Sequence, residues 1–335
     1  MKSALATASC GFKGAVDGSF TPACRMSVLA GNGQLFAGFT FARYRQVLAA
    51  LEPSVIAIGA VVDGRPAGLV LGTCSQGQEA ELLSIAVAPA ERRLGIGLAL
   101  IEAWREEAAR RGMATMIARY TEANASRTAF EALAMRAAWS RPTEDGLLVT
   151  GRAGAMAEVV GAWRAIGGRL AQPGLYDYAP VALSDADRAT VSIYLAKPDA
   201  AGMLGPVALT DRISPAFSTL IRRQGVLVGW VLASETAERS IRYEEAFLDP
   251  VYWHSGITIG AYHHCYARQA ALLGRDSIAT YYTNSTRPRM VALTRRRFAP
   301  IADRIDTILA VRSTGCATTL SSLNRKGNPH EHRCA

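Results

Sequence analysis

Residues 92–100 read RRLGIGLAL, and this stretch decides the fold. It places two arginines and the pair Gly95 and Gly97 directly before an apolar run. Apolar residues then recur at helical spacing as far as Gly112, a residue type that often ends helices. The preceding residues 82–88 are almost continuously apolar, as in a buried central strand. The pattern predicts a glycine turn between a central strand and an amphipathic helix.

A turn of this kind favours anion binding. The first amides of a helix lack intrahelical acceptors, and the helix dipole is positive there. Glycines would let a phosphate approach those amides, and Arg92 and Arg93 add positive charge. The dinucleotide fingerprint would need a third glycine where the chain has Leu100, and the Gly-Lys-Ser/Thr of a Walker loop is absent. The remaining alternative is a glycine-softened helix start without chemistry.

The surrounding sequence predicts an α/β domain. An Asp-Gly turn signal joins two β-rich runs, which indicates a hairpin. A strand–helix–strand unit with a parallel crossover follows. The predicted helices are 41–51 and 126–135, and the predicted strands outside the motif are 54–62, 67–74 and 114–120.

The chain contains an internal repeat with an offset of about 161 residues. GRPAGLVLG at 64–72 resembles GVLVGWVLA at 225–233, and Gly95 falls on Gly256. Four identical residues match in order at this one spacing, and they indicate two copies of one fold: Gly64 and Gly225, Gly68 and Gly229, Pro89 and Pro250, and Gly95 and Gly256. We expect the following division of the chain: a flexible arm at 1–34, the first copy at 35–150, the second copy at 151–313 and a disordered tail at 314–335.

Composition limits the classes of function. Half of the 335 residues are hydrophobic, and no apolar run reaches the roughly 18 residues that cross a bilayer. The six cysteines are scattered, which favours a reducing cytoplasm over a disulfide scaffold or a zinc site. The net charge of +9 suits an anionic ligand. The basic residues are spread out, so we do not expect nucleic acid as the partner.

The motif at 92–97 resembles the Arg/Gln-x-x-Gly-x-Gly/Ala signature of the GCN5-related N-acetyltransferase (GNAT) superfamily. The IAVAP ending of the preceding strand and the order of elements are similar too. The resemblance covers most of 35–150 and extends more weakly over 207–312. It implies two tandem GNAT-like α/β (α+β) domains, each a mixed, mostly antiparallel sheet with a central parallel β-α-β crossover.

The resemblance also implies a donor site. In that family the turn amides bind the pyrophosphate of coenzyme A, and pantetheine pairs with the exposed edge of the fourth strand. Acetyl-CoA or another acyl-CoA is the implied co-substrate, without a metal. The implied binding residues are Ile85, Ala86, Val87, Arg92, Arg93, Leu94, Gly95, Ile96, Gly97, Leu98 and Asn124. The amides of Ile85 and Val87 would also polarise the thioester carbonyl.

Transfer to an amine requires a base, because an alkylamine is mostly protonated at pH 7. Glu81 stands eleven residues before Arg92, where the histone-acetyltransferase branch carries its glutamate base. On a regular strand it would share a side with Leu83 and Ile85, which would aim it at the acyl site. The alternative is a surface carboxylate at the end of a strand.

Two departures from the family pattern stand out. Phe130 occupies the place of the usual general-acid tyrosine and cannot donate a proton, and Tyr120 is a substitute only as a guess. In the second copy the motif becomes Trp253-His254-Ser255-Gly256-Ile257-Thr258, without arginines and with one glycine. We expect this copy not to bind coenzyme A productively.

The leading hypothesis is an acyl-CoA-dependent N-acyltransferase acting on an amine of a small molecule or peptide. Two alternatives stay open at this level: a non-catalytic acyl-CoA-binding protein, and a basic nucleic-acid-binding protein. The sequence does not identify the acceptor, the acyl chain length or the oligomeric state.

Overall fold

The computed structural model describes residues 24–74, 78–163, 176–197, 213–253 and 255–314. Most of the expected N-terminal arm and all but one residue of the expected tail lie outside these ranges.

The first half contains the expected order of strands and helices. Its elements are β1 (Cys24–Val28), 3-10 turns at Gly33–Phe39 and Ala42–Tyr44, α1 (Arg45–Ala49), β2 (Val55–Val62), β3 (Arg65–Cys74), β4 (Glu79–Val87), a 3-10 turn at Pro89–Glu91, α2 (Ile96–Arg110), β5 (Thr115–Thr121), α3 (Arg127–Arg136) and β6 (Thr143–Arg152).

The second half repeats this order. Its elements are α4 (Ala153–Gly161), β7 (Tyr176–Pro180), α5 (Asp185–Leu195), β8 (Thr219–Arg223), β9 (Val226–Ala237), β10 (Ser240–Leu248), a 3-10 turn at Pro250–Tyr252, α6 (Ile257–Leu273), β11 (Ile278–Asn284), α7 (Pro288–Leu293) with a π-helical turn at Thr294–Phe298, and β12 (Arg304–Thr314).

The repeat is visible in the backbone itself. Strands β3 and β9, strands β4 and β10, helices α2 and α6, and strands β6 and β12 begin 161 residues apart. Left-handed backbone recurs at the same spacing, in the pairs Asp63 and Gln224, Gly64 and Gly225, Gln78 and Arg239, and Gly95 and Gly256. The two halves therefore share one chain path, as the sequence predicted.

Two local expectations need correction. Part of the expected flexible arm forms β1, which pairs antiparallel with β2 along Cys24–Val28. The predicted helix at 41–51 is shorter, because a 3-10 turn precedes α1 and α1 ends at Ala49. A helix this short draws its stability from packing, and Leu48 supplies it by lying in the core beside Phe36.

The two copies exchange their last strands. In the described residues all twelve strands form one sheet, in the order β1-β2-β3-β4-β5-β12-β6-β11-β10-β9-β8-β7. Strand β12, from the second half, pairs antiparallel with β5 of the first half. Strand β6, from the first half, lies between β12 and β11. The expected division of the chain at 150–151 thus falls within β6, whose pairing partners both belong to the second half.

One face of the sheet carries the main cores of both copies. Leu309 and Val311 of β12 pack against the first core, and Ile305 of the same strand packs against the second. These three residues alternate along one side of the strand, so both cores lie on the same face. Helix α2 covers the first core and α6 the second. We call this the helical face.

The opposite face is covered separately at its two ends. Phe36 and Leu48 cover β2 and β3 in the first copy. Tyr194 of α5 packs against Trp230 and Phe247 in the second copy. Between these two covers lie the even-numbered residues of β12 and their neighbours, several of them charged. We call this the seam face.

Gly146→Ala tests the packing of the exchanged strand. A Cβ at Gly146 would overlap the carbonyl oxygen of Thr283 and lie 2.8 Å from the Tyr282 ring. We expect the substitution to lower the free energy of unfolding by about 1–3 kcal/mol, measured by urea unfolding. Gly38→Ala is the matched control, because a Cβ there meets nothing within 4 Å. Equal stability of the two variants would contradict the described β6–β11 contact.

Candidate active site

Strands β4 and β5 diverge at the centre of the first copy. Their parallel pairing runs over four residue pairs, from Glu79–Thr115 to Leu82–Ala118. Strand β4 then continues to Val87 and β5 to Thr121. A gap therefore opens between β4 and β5. Beyond Leu82 and Ala118, the backbone groups of the two strands that face this gap are not paired with each other.

A β-bulge in β4 lies directly at this divergence. The register against β3 shifts between Leu71–Ser84 and Gly72–Leu82, which leaves Leu83 as the extra residue. The bulge reverses the alternation of side chains: Leu82 and Ile85 both contact the helical-face core. Glu81 therefore lies on the seam face, opposite to Ile85. The expectation that these two residues share a side is wrong, because it assumed a regular strand.

The backbone of Ile85 and Val87 faces the gap. The amide of Ala88 donates to the carbonyl of Ala67 in β3 at 2.7 Å. Backbone groups alternate in direction along a strand, so Val87 and Ile85 present theirs to the opposite edge. The Nε of Arg92 donates to the Val87 carbonyl at 3.2 Å, which confirms that direction. Ala86 alternates with them and pairs with Leu69.

The glycine turn after β4 leaves room beside the start of α2. Gly95 has a left-handed backbone, with φ of 82°, and an added Cβ would meet nothing within 4 Å. The helix begins at Ile96, and the amide of Ala99 donates to the Gly95 carbonyl at 3.1 Å. The preceding amides of Ile96, Gly97 and Leu98 have no intrahelical acceptor.

The side chains of the turn are open to solvent. Leu94 is 60 % exposed, and both arginines of the motif are exposed too. Arg93 adopts a left-handed backbone, with φ of 70°. An added Cβ at Gly97 would lie 3.4 Å from Leu133, which is ordinary contact distance. Exposed positive charge and donor amides therefore coincide at one turn.

Asn124 stabilises the turn that leads into the next helix. Its Oδ1 accepts a hydrogen bond from the amide of Ser126 at 2.9 Å. Asn284 makes the same bond to the amide of Thr286, at 2.8 Å, in the second copy. The side chain of this asparagine thus stabilises a turn in both copies, which gives it a structural role independent of any ligand.

Glu81 is held in a charged cluster on the seam face. The guanidinium of Arg119, on β5, lies 3.2 Å from the Glu81 carboxylate and 3.7 Å from that of Glu79. The same guanidinium donates to Asp145 at 2.9 Å. Burial alone would lower the pKa of Arg119, but the negative charges of Glu81 and Asp145 outweigh it and raise the pKa above its ordinary value. Sequence reasoning missed Arg119, because nothing local marks it.

Asp145 is the buried centre of this cluster, and its side chain is only 3 % exposed. Besides Arg119, it accepts hydrogen bonds from Arg312 at 2.6 Å and from the hydroxyl of Tyr282 at 2.6 Å. Burial alone would raise the pKa of Asp145, but these hydrogen bonds hold it below its ordinary value. The cluster joins β5 and β6 of the first half to β11 and β12 of the second.

The hydroxyl of Tyr120, the substitute considered for the general acid, is already hydrogen-bonded within the protein. Its hydroxyl donates to Glu131 at 2.9 Å, and its ring contacts Phe130 edge-to-face at 5.1 Å. Burial and the hydrogen bond to Glu131 raise the pKa of Tyr120. Phe130 itself packs against the first core. These contacts do not favour Tyr120 as a general acid.

The second copy keeps the turn but fills it with its own groups. Gly256 has the same left-handed φ of 82°. The hydroxyl of Ser255 accepts from the amide of Ile257, the first residue of the helix, at 3.4 Å. The indole of Trp253, 55 % exposed, donates to the Leu248 carbonyl at 2.9 Å. Trp253 thereby takes the place that Arg92 has in the first copy.

Comparison with known proteins agrees with this geometry. The model of the Acetyltransferase (GNAT) family matches residues 33–133. These residues form a GNAT domain. Over the described residues the chain has the fold of a tandem GNAT protein. No curated protein matches it in sequence.

Two solved structures resemble the chain over most of its length. A tandem GNAT protein from the clavulanic acid biosynthesis pathway matches 87 % of this chain and 98 % of its own, with a TM-score of 0.60 and 14 % identity. A GCN5-related N-acetyltransferase from Sphaerobacter thermophilus matches 87 % and 95 %, with the same TM-score and identity. At such identities the likeness concerns the fold.

Two features are absent from the described residues. No group of three His, Cys, Asp or Glu side chains there is arranged to hold a metal ion. No helix in that part of the chain has the length and apolar character needed to cross a membrane.

Asp145→Asn tests the buried carboxylate. The folded-state pKa of Asp145 lies below its unfolded value of roughly 3.9. The contribution of Asp145 to stability is therefore fully present above the unfolded pKa, and it is lost as the pH falls through the folded-state pKa. We expect a loss of about 3 kcal/mol at pH 7 and a shallower fall of stability between roughly pH 5 and 3. Urea unfolding at several pH values measures both. An unchanged pH dependence would show that Asp145 is not held ionised.

Proposed function

We propose that the first copy is an acyl-CoA-dependent N-acyltransferase, with acetyl-CoA as the first donor to test and an amine of a small molecule or peptide as acceptor. One observation carries the proposal. The open space beside Gly95, at an uncapped helix start, lies next to the unpaired edge of β4. The family match to residues 33–133 supports the same reaction class.

The turn at 92–98 suits the pyrophosphate of coenzyme A. Donor amides at a helix start bind anions, and glycine allows close approach. Arg92 and Arg93 add charge at the surface of the site. We assign the pyrophosphate to the amides of Gly95, Ile96 and Gly97, with Leu94 and Leu98 flanking them. We also assign Asn124 to the donor site. It lies on the far side of the gap, in the turn that its side chain stabilises.

The edge of β4 suits the thioester arm. Backbone groups of Ile85 and Val87 face the gap, and an amide there can donate to the carbonyl oxygen that becomes negative during attack. The hydrogen bond from Arg92 to the Val87 carbonyl ties the turn to this edge. Binding of the pyrophosphate and orientation of the thioester would therefore be coupled.

The amine proton is assigned to Glu81. Glu81 pairs with Ile117, one step before the strands separate, and its side chain is 34 % exposed. Its carboxylate lies 3.2 Å from the Arg119 guanidinium, and this contact holds it beside the gap. As the amine nitrogen bonds to the thioester carbon, the C–S bond breaks. We assign protonation of the thiolate to solvent, because Phe130 cannot donate.

The second copy is proposed not to bind coenzyme A. Its Ser255 and Trp253 support this. The Ser255 hydroxyl already accepts from the Ile257 amide, whereas the side chain of the equivalent Leu94 cannot accept a hydrogen bond, and Trp253 places a bulky indole where the first copy has Arg92. A non-catalytic acyl-CoA-binding protein is the second candidate, and the observation that favours it is Phe130 in place of a general acid. Thermal stabilisation by coenzyme A without thiol release, over a panel of amines and a metabolite extract, would select that candidate.

Exchanging Gly97 and Thr258 between the copies tests the donor site. Gly97→Thr adds a side chain at one of the donor positions, against Leu133 and Val87. We expect it to weaken coenzyme A binding about ten- to hundredfold, the effect of losing one hydrogen bond to a charged group. Thr258→Gly is the matched control and should neither weaken binding nor create a second site, since Trp253 and the bond from the Ile257 amide to Ser255 remain. Titration calorimetry measures both. Equal affinities in the two variants would place coenzyme A elsewhere.

Glu81→Gln tests the base. We expect kcat for thiol release to fall about hundredfold or more, because a positioned base contributes roughly 10²–10⁴-fold. Coenzyme A affinity should stay unchanged. Glu79→Gln is the control, because Glu79 lies two residues further from the divergence and 3.7 Å from Arg119. A Glu81→Gln enzyme with near-normal kcat and reduced thermal stability would make Glu81 a structural partner of Arg119 only.

A further inference from the structure

We propose that Asp145 is a positioning residue for acyl transfer, and that the second copy takes part in the reaction by holding Asp145 in place. The inference rests on the proposed function, with Glu81 as the group that receives the amine proton. It gives the second copy a role that requires no coenzyme A in it.

The location of Asp145 is set by strand exchange. In β6 the register against β12 moves from Leu309–Glu144 to Ile308–Gly146, so Asp145 is the extra residue of a bulge. A bulge redirects a side chain. Here it directs a carboxylate into the seam, where the side chain is 3 % exposed. Burying a carboxylate is costly unless charged and polar partners surround it.

Those partners come from both copies. Arg119, from the first half, contributes one guanidinium. Arg312 and Tyr282, from the second half, contribute a guanidinium and a hydroxyl. The Tyr282 hydroxyl also donates to the backbone carbonyl of Asp145, at 2.9 Å, and accepts from Asn284 at 3.0 Å. The second copy thus supplies one of the two guanidinium charges and two of the three donor side chains that fix this carboxylate.

Asp145 acts on Glu81 through Arg119. One guanidinium contacts three carboxylates, with Asp145 at 2.9 Å, Glu81 at 3.2 Å and Glu79 at 3.7 Å. The contact with Asp145 divides the positive charge and holds the guanidinium in one orientation. Without it, Arg119 would be free to pair more fully with Glu81. A carboxylate paired more fully with arginine binds protons more weakly and makes a poorer base.

The second copy lacks this arrangement at its own divergence. Asp306, the equivalent of Asp145, is also buried, and it pairs with Arg304 at 2.7 Å. Arg242 stands where the first copy has Glu81, and Tyr282 occupies the strand position of Arg119. A buried aspartate thus recurs in both copies, whereas its link to a carboxylate at the divergence exists in the first copy alone.

The test compares three variants of the full chain. Asp145→Asn removes the central charge, and Tyr282→Phe removes one hydrogen bond from the second copy while keeping every charge. Asp303→Asn is the matched control, because its ion pair with Arg152, at 2.7 Å, also joins the two halves but lies at the other end of β6. Kinetics with acetyl-CoA and an accepted amine give kcat, both KM values and the pH profile. NMR titration of ¹³C-labelled glutamate, assigned with Glu81→Gln, follows the Glu81 carboxylate directly.

For Asp145→Asn we expect kcat to fall about three- to tenfold, the acid limb of the kcat profile to move to lower pH, and Glu81 to titrate at lower pH. The KM for acetyl-CoA should not change. Tyr282→Phe should give smaller changes in the same directions, and Asp303→Asn should give none.

An unmoved Glu81 titration in both Asp145→Asn and Tyr282→Phe would overturn the inference. So would a loss of kcat that Asp303→Asn reproduces, because that pattern would reflect general weakening of the seam. If Asp145→Asn does not fold, Tyr282→Phe decides. If the wild-type chain turns over no amine, the proposed function fails, and the Glu81 titration still decides whether Asp145 acts on that carboxylate.

Discussion

Hydrogen bonding between β5 and β12 is the constraint on which the rest of the structure depends. Strand β5 must separate from β4 to open the gap, so it cannot be held in place from that side beyond Ala118. Its other edge is paired with β12 from Thr115 to Thr121. Because β12 comes from the second half, the fold of the first copy is completed by the second, and the two cannot be regarded as independent units joined end to end.

The polar cluster at the seam follows from this exchange. A sheet built from two copies buries its central strands, and Asp145 is buried there as an anion between two arginines and a tyrosine. Such a group contributes less to net stability than apolar packing would, because its desolvation is expensive. In the observed register, partners on β5, β11 and β12 satisfy it.

The two copies show how one backbone path can present two different helix starts. Both turns begin a helix after a left-handed glycine, with φ of 82° at Gly95 and at Gly256. In one copy the following amides remain open and Leu94 points to solvent. In the other copy the Ser255 hydroxyl accepts from the first of them, the amide of Ile257. Side chains of a few turn residues, not the fold, decide which helix start is available to an anion.

The sequence by itself determined the turn motif, the repeat and most elements of the first copy, because glycine conformations, apolar periodicity and turn residues act locally. It also predicted a donor site on the first copy. Only the tertiary structure decided the exchange of β6 and β12, since two strands of the same pattern can satisfy the same edges. The bulge at Leu83 and the partners of Glu81 were decided there too. Strand register and ion pairs depend on residues far apart in the chain, and no local pattern encodes them.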